Sequence, residues 1–217
     1  MVDIFQEVEE DLRRERYERL AKKYGGTLVA ALLSVVAATA GFVLWKNWQL
    51  TRQQTATLQL AEAVEDAGRD GANPAGIPVL DSVIAHAPSG PAALARFYEA
   101  GIKGRTGDSA GAVILYDGLS KDGSLPQVFR DLALLLSIQQ QAGSGDAKLL
   151  SERLATLTLD ANPWHFSARE LDALLAVRTG DKAKAKTLFH QLADDKDAPA
   201  GIRARAAELA AFFDKAP

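Results

Sequence analysis

The sequence predicts an all-α protein in which one membrane-crossing helix is followed by an α-solenoid of about four helical hairpins and a C-terminal capping helix. Three observations predict it. Residues 25 to 45 (GGTLVAALLSVVAATAGFVLW) hold no charged side chain. Beyond Trp48 no segment alternates as a strand does, and Ala- and Leu-rich stretches are punctuated by Gly and Pro at intervals typical of short helices. One spacing of glycine, small, large and proline residues recurs four times.

Residues 1 to 24 form the first element, a charged tail that reads as a helix. Asp3 followed by Gln6 resembles a capping box, and acidic residues come first and basic ones last. Glu9/Arg13, Glu10/Arg14, Glu15/Arg19 and Glu18/Lys22 stand four apart, where opposite charges meet on a helix surface. Ile4, Val8 and Leu12 make an apolar line along one side. That line is a candidate contact for a cytoplasmic partner or a membrane surface; the alternative is a solvated stalk.

Residues 25 to 45 form the second element. At about 1.5 Å per residue they reach roughly 31 Å, the thickness of a hydrocarbon core. Nine of them are Leu, Val or Phe, enough to carry the Gly, Ser and Thr residues into lipid. Ala38-Thr39-Ala40 offers the small residues of a signal-peptidase site, yet seven acidic side chains precede the apolar core, which continues through Phe42, Val43 and Leu44. An uncleaved anchor is expected. Gly26, Ala30, Ser34 and Ala38 recur every fourth residue and are candidates for close packing of a second membrane helix.

Basic residues near a first span stay on the cytoplasmic side. Arg13, Arg14, Arg16, Arg19, Lys22 and Lys23 precede the span, and only Lys46 and Arg52 follow within the same distance. The N-terminus is therefore expected in the cytoplasm and the C-terminal domain outside it. Tyr24, Trp45 and Trp48 fall where the headgroups would lie, the preferred depth of amphipathic rings.

Residues 46 to 217 form the third element, long enough for one domain with a real core in a chain that is 47% hydrophobic. The recurring pattern sets a glycine five positions before a small or apolar residue, a large apolar residue four later, another at seven, and a proline at twelve to fourteen. Its copies are Gly71/Gly76/Leu80/Val83/Pro88, Gly107/Ala112/Tyr116/Leu119/Pro126, Gly145/Leu150/Leu154/Leu157/Pro163 and Gly180/Ala185/Phe189/Leu192/Pro199. Anchors at 76, 112, 150 and 185 lie 36, 38 and 35 residues apart, the period of tetratricopeptide-type hairpins. Gly107-Asp108, Gly145-Asp146 and Gly180-Asp181 each predict a helix end followed by the N-cap of the next helix. Residues 199 to 213 supply the final capping helix.

The formal charge of −3 divides into −1 for the tail, with six basic and seven acidic side chains, and −2 for the rest. No concentrated positive face for nucleic acid follows from that. With no cysteine in the chain, disulfides and thiolate metal sites are excluded. His86, His165 and His190 are scattered over different hairpins without acidic partners at ligand spacing, so no metal site is expected. Gly143-Ser144-Gly145 and the run from Gly101 to Gly107 lack the ending of a phosphate loop and are expected to be helix ends. The residues predict no catalytic site, cofactor or small-molecule substrate, and no enzyme.

The tail Asp3-Ile4-Phe5-Gln6-Glu7-Val8 with Arg13 to Lys23, the aromatic exit of the span at Trp45 and Trp48, and a repeat domain of this length together carry a resemblance. The chain resembles the bacterial ancillary subunit family of the Sec translocon over nearly its whole length. That resemblance implies a single-pass inner-membrane protein whose periplasmic tetratricopeptide-like domain associates with translocon subunits, periplasmic chaperones and exported clients, as a non-catalytic scaffold. The chain departs from the family pattern where Glu99, Ser137 and Asp172 fall near positions expected to be apolar. A different function also fits the residues: a membrane signalling adaptor whose cytoplasmic helix, through Ile4, Val8 and Leu12, binds a regulator.

Overall fold

The computed structural model describes residues 3–66 and 73–215, with side chains described at position 26 and from position 29 onward. The first helix, α1, runs from Asp3 to Asp66. Gly25 and Gly26 lie inside it without a break, although each glycine costs a helix about 1 kcal/mol relative to alanine. From Val29 onward α1 is long and apolar enough to span a membrane. The large apolar side chains between Val29 and Trp48 stand exposed, as a lipid-facing helix requires. The hydroxyls of Ser34 and Thr39 donate back to the carbonyls of Ala30 and Val35, each at 2.8 Å, which removes two polar groups that hydrocarbon would penalise. The Arg52 guanidinium sits 4.7 Å from the centre of the Trp48 ring. The side chains of Ile4, Val8, Leu12 and Tyr24 and the charge pairs of the tail lie outside the described residues, as does Gly71.

A second unit begins at Gln53. It contains the last turns of α1 and the helices α2 (Ile77–His86), α3 (Ser89–Arg105), α4 (Ser109–Lys121), α5 (Gln127–Gln141), α6 (Ala147–Leu154), α7 (His165–Arg178), α8 (Lys182–Asp194) and α9 (Ala200–Lys215). The protein is all-helical, with no strand among the described residues. From α2 on, each helix packs against its neighbours in sequence, and α7 also touches α9.

Local chemistry explains where these helices start and stop. Asp108 accepts from the Gly111 amide, Asp146 from those of Lys148 and Leu149, and Asp181 from that of Lys184. Each carboxylate satisfies a donor that has no partner inside its helix. Gly107 and Gly180 take φ of 95° and 77°, where a Cβ would be strained. Gly145 sits in a tight place: a Cβ there would lie 3.1 Å from both the Gln141 carbonyl and the Leu150 side chain. Pro88 and Pro126 occupy the N-caps of α3 and α5. One expectation is corrected. Gly101 and Gly104 lie within α3, which continues to Arg105, so only the Thr106-Gly107 end of that glycine run is a helix end. Gly104 permits close approach there, since a Cβ would meet the Gln140 side chain at 2.6 Å.

Among the described residues, four clusters of buried side chains make up the core, and each contains the large apolar residues of one repeat. The first joins Leu60 and Ala63 of α1, Leu80 and Val83 of α2, and Ala95 and Ile102 of α3. The second joins Ala93 and Ala100 of α3 to Ala112, Tyr116 and Leu119 of α4 and Ala133 of α5. In the third, Leu135 and Ile138 of α5 meet Leu150 and Leu154 of α6, Leu157, and Leu171 and Leu175 of α7. The fourth sets Ala173 and Ala176 of α7 against Phe189 and Leu192 of α8 and Ile202 and Ala206 of α9. Helices α3, α5 and α7 thus bury two faces each, one in the cluster before and one in the cluster after.

Phe189 is fully buried at the centre of the fourth cluster, against Phe213 at 6.0 Å between ring centres. Phe189→Ala should destabilise the domain by about 3–5 kcal/mol. Ile114→Ala, at a side chain 72% exposed, should change it by less than about 0.5 kcal/mol. Chemical denaturation of the two variants checks both figures.

Candidate protein-binding cleft

The end of α1, α3 and the start of α5 converge on an open cavity of about 400 Å³. Thr57 and Leu60 come from α1, Leu94 and Phe97 from α3, Leu125 from the loop after α4, and Phe129 from the first turn of α5. Thr57 carries the only heteroatom among the lining side chains, and its hydroxyl already donates to the Gln53 carbonyl at 2.8 Å. The lining therefore offers carbon and no free polar side chain. Such a surface gains by covering apolar area, at about 25 cal/mol per Å².

Polar groups outside the cleft position its walls. Asp122 accepts from both the amide and the hydroxyl of Ser124, at 2.9 and 2.6 Å, and the Leu125 amide donates to the Asp122 carbonyl at 3.1 Å. This tight turn delivers Leu125, 8% exposed, to the cleft. The two bonds from Ser124, aided by Arg96 and Arg130, hold the Asp122 carboxyl below its ordinary value. At the start of α5, the Trp164 indole donates to the Val128 carbonyl at 2.9 Å, and Asn162 donates to Asp131 at 2.9 Å. The loop before α7 thereby secures the turn that carries Phe129.

Beyond the cleft, polar residues stand at matching places in α3, α5 and α7, and those of α5 and α7 tie neighbouring helices together. Ser137, fully buried, donates to Asp117 of α4 at 2.6 Å, and Arg153 of α6 reaches the same carboxylate oxygen at 2.8 Å. Asp172 accepts from Ser151 of α6 and from Lys184 of α8, the latter at 2.9 Å. Glu99, 8% exposed, lies 3.6 Å from Lys103, which is also 3.6 Å from Asp108. Burial and then the nearby Asp81 charge push the Glu99 carboxyl up, against the pull of Lys103 and Arg96.

No protein-family model matches the chain, and no curated protein or solved structure matches it either. The site is therefore read from its own residues. Gly26, Ala30, Ser34 and Ala38 lie on α1 and are exposed. His86 sits at the end of α2, while His165 opens α7 and shares its Nδ1 with the Asn162 carbonyl at 2.6 Å. His190 of α8 lies 3.3 Å from Asp214 of α9. The three histidines stay apart, and no group of three or more metal-ligating side chains gathers among the described residues.

Sequence reasoning did not single out Leu60, Leu94, Phe97 or Phe129. The signal was present as large apolar residues lying off the repeat's anchor register. Which of them meet depends on how α1, α3 and α5 are set against each other, and only the packed structure shows that.

The Glu99 result has a direct consequence for stability. A carboxyl raised in the folded state binds its proton more tightly there than in the unfolded chain, so its contribution is fully present below about pH 4.5 and is lost as pH rises through the folded value. Glu99→Gln should remove that part of the pH dependence and raise stability near neutral pH. Denaturation midpoints from pH 4 to 8 test it; an unchanged slope would show that Lys103 fully compensates the buried charge.

Proposed function

We propose that this protein is a membrane-anchored, non-catalytic protein-binding scaffold of tetratricopeptide type, working beside the Sec translocon on exported proteins and their chaperones. The carbon-only cleft lined by α1, α3 and α5 is the observation that carries it. Its lining supplies neither nucleophile nor base nor ligand for a metal, which suits association and not group transfer. The exposed apolar helix supports single-pass anchoring. The excess of Lys and Arg before the span favours a cytoplasmic N-terminus and a periplasmic domain. The tail, span exit and repeat period support the translocon reading through the family they resemble.

Orientation is tested by fusing alkaline phosphatase or a cytosolic fluorescent reporter after Pro217. Alkaline phosphatase should be active and the cytosolic reporter dark; the reverse pattern would place the domain in the cytoplasm. Partner identity is tested with a photoreactive residue in place of Tyr98, which is 42% exposed on α3 next to Phe97. Irradiated membranes should yield adducts with translocon subunits or a periplasmic chaperone. Their absence at this site, alongside adducts to unrelated membrane proteins, would remove the translocon from the proposal.

A further inference from the structure

Where α1 leaves its apolar run, aromatic rings and cations come together. Trp45 and Trp48 are 55% and 56% exposed, and the Arg52 guanidinium lies 4.7 Å from the centre of the Trp48 ring. Arg52 stands four residues beyond Trp48, about 6 Å further along the helix axis. Its side chain therefore reaches back one turn towards the apolar run, the direction in which helical side chains lean. The contact sets the arginine charge at the level of the indole, and indoles beside a span settle at the depth of the lipid headgroups.

Charge here has one sign. The chain has no carboxylate between Glu18 and Glu62, and Lys46 and Arg52 are the only charged residues between Tyr24 and Ala61. Both are exposed, and Asn47, Gln49 and Gln53 add exposed amides within the same two turns. A guanidinium carries its N–H donors in one plane, in a fork that fits the oxygens of a phosphate in pairs. An anionic headgroup brings that phosphate with no cation of its own. A zwitterionic headgroup brings the same phosphate together with an ammonium, which Lys46 and Arg52 repel.

We propose that Trp48 and Arg52, with Lys46, bind the phosphate of an anionic phospholipid at the C-terminal edge of the apolar run. The inference rests on the single-pass anchoring read above and names the lipid class that the anchor selects. Arg52 grips the phosphate, Trp48 holds Arg52 at headgroup depth, and Lys46 adds charge without a fixed geometry. A lysine at 52 would keep the charge but lose both the fork and the planar contact with the ring. The phosphate belongs to a lipid because exposed Phe42, Val43, Leu44 and Trp45 precede the charged turns directly and offer acyl chains a surface.

The test uses the full chain in nanodiscs of equal parts phosphatidylglycerol and phosphatidylcholine with the same acyl chains. A photoreactive residue replaces Gln49, which is exposed beside Trp48. Mass spectrometry of the adducts should show phosphatidylglycerol captured about fivefold over phosphatidylcholine. Arg52→Gln, Arg52→Lys and Trp48→Leu should each bring that ratio below about twofold, with the helical circular dichroism unchanged. An unaltered ratio in Arg52→Gln overturns the proposal. Full retention in Arg52→Lys overturns it as well, because charge alone would then be the cause. Loss of the excess on adding inorganic phosphate at constant ionic strength assigns the site to free phosphate and overturns the lipid. A chain that does not migrate with the nanodiscs sinks both the anchoring and this inference; one that migrates with them and captures the two lipids equally sinks this inference alone.

Discussion

The whole domain depends on the burial of both sides of α3, α5 and α7. A helix pair isolated from this array would leave one apolar face in water, and each of these three helices solves that by serving two cores at once. Ala95 and Ile102 of α3 look to the first cluster while Ala93 and Ala100 look to the second. The small residues matter as much as the large ones. Ala112, Ala133, Ala173 and Ala185 are fully buried, and a bulkier side chain at any of them would force neighbouring helices apart. Nearest-neighbour packing of this kind makes stability a sum of local interfaces, so damage at one cluster is felt first by its own helices.

A helix buried on two faces has little amphipathic contrast, and apolar packing alone would leave its rotation and slide weakly specified. The polar pins supply that specification. Asp117 gathers Ser137 and Arg153 from the two following helices, and Asp172 gathers Ser151 and Lys184 from the helices on either side of it. Each charge is satisfied by a hydrogen-bonding partner, so the desolvation cost of placing it between helices is offset where the geometry holds and exposed where it does not. Ser137 and Asp172, two of the residues that break the apolar pattern of the repeat, thus register one helix against the next.

The same architecture produces the cleft. Where α1, α3 and α5 come together, Leu94, Phe97 and Phe129 are left partly uncovered, while a tight turn at Asp122 and the Trp164 indole hold the surrounding backbone in place. A rigid, carbon-lined surface of this sort is suited to recognition by shape and apolar area. It has no group that could activate a bond. That chemistry suits the cleft to the anchored scaffold proposed for the chain.

Much of this molecule was legible in its residues. Periodicity and glycine-proline punctuation marked the helices, the three Gly-Asp turns marked their N-caps, and the twelve spaced anchors marked buried sites, because all are local rules that act within a few residues along the chain. Gly76 to Leu192 bear that out position by position, all twelve being buried. Glu99, Ser137 and Asp172 were visible only as exceptions. Glu99 pairs with Lys103 one turn along its own helix, whereas the partners of Ser137 and Asp172 stand 20 and 21 residues away, a separation that no local rule connects. The cleft is of the same kind: Leu60, Phe97 and Phe129 are unremarkable apolar residues until packing decides which of them face one another. Sequence determined the helices, their ends and their buried registers, since backbone hydrogen bonding and apolar spacing are short-range; tertiary structure alone decided which polar groups meet and what surface stays uncovered, since those depend on the relative placement of helices.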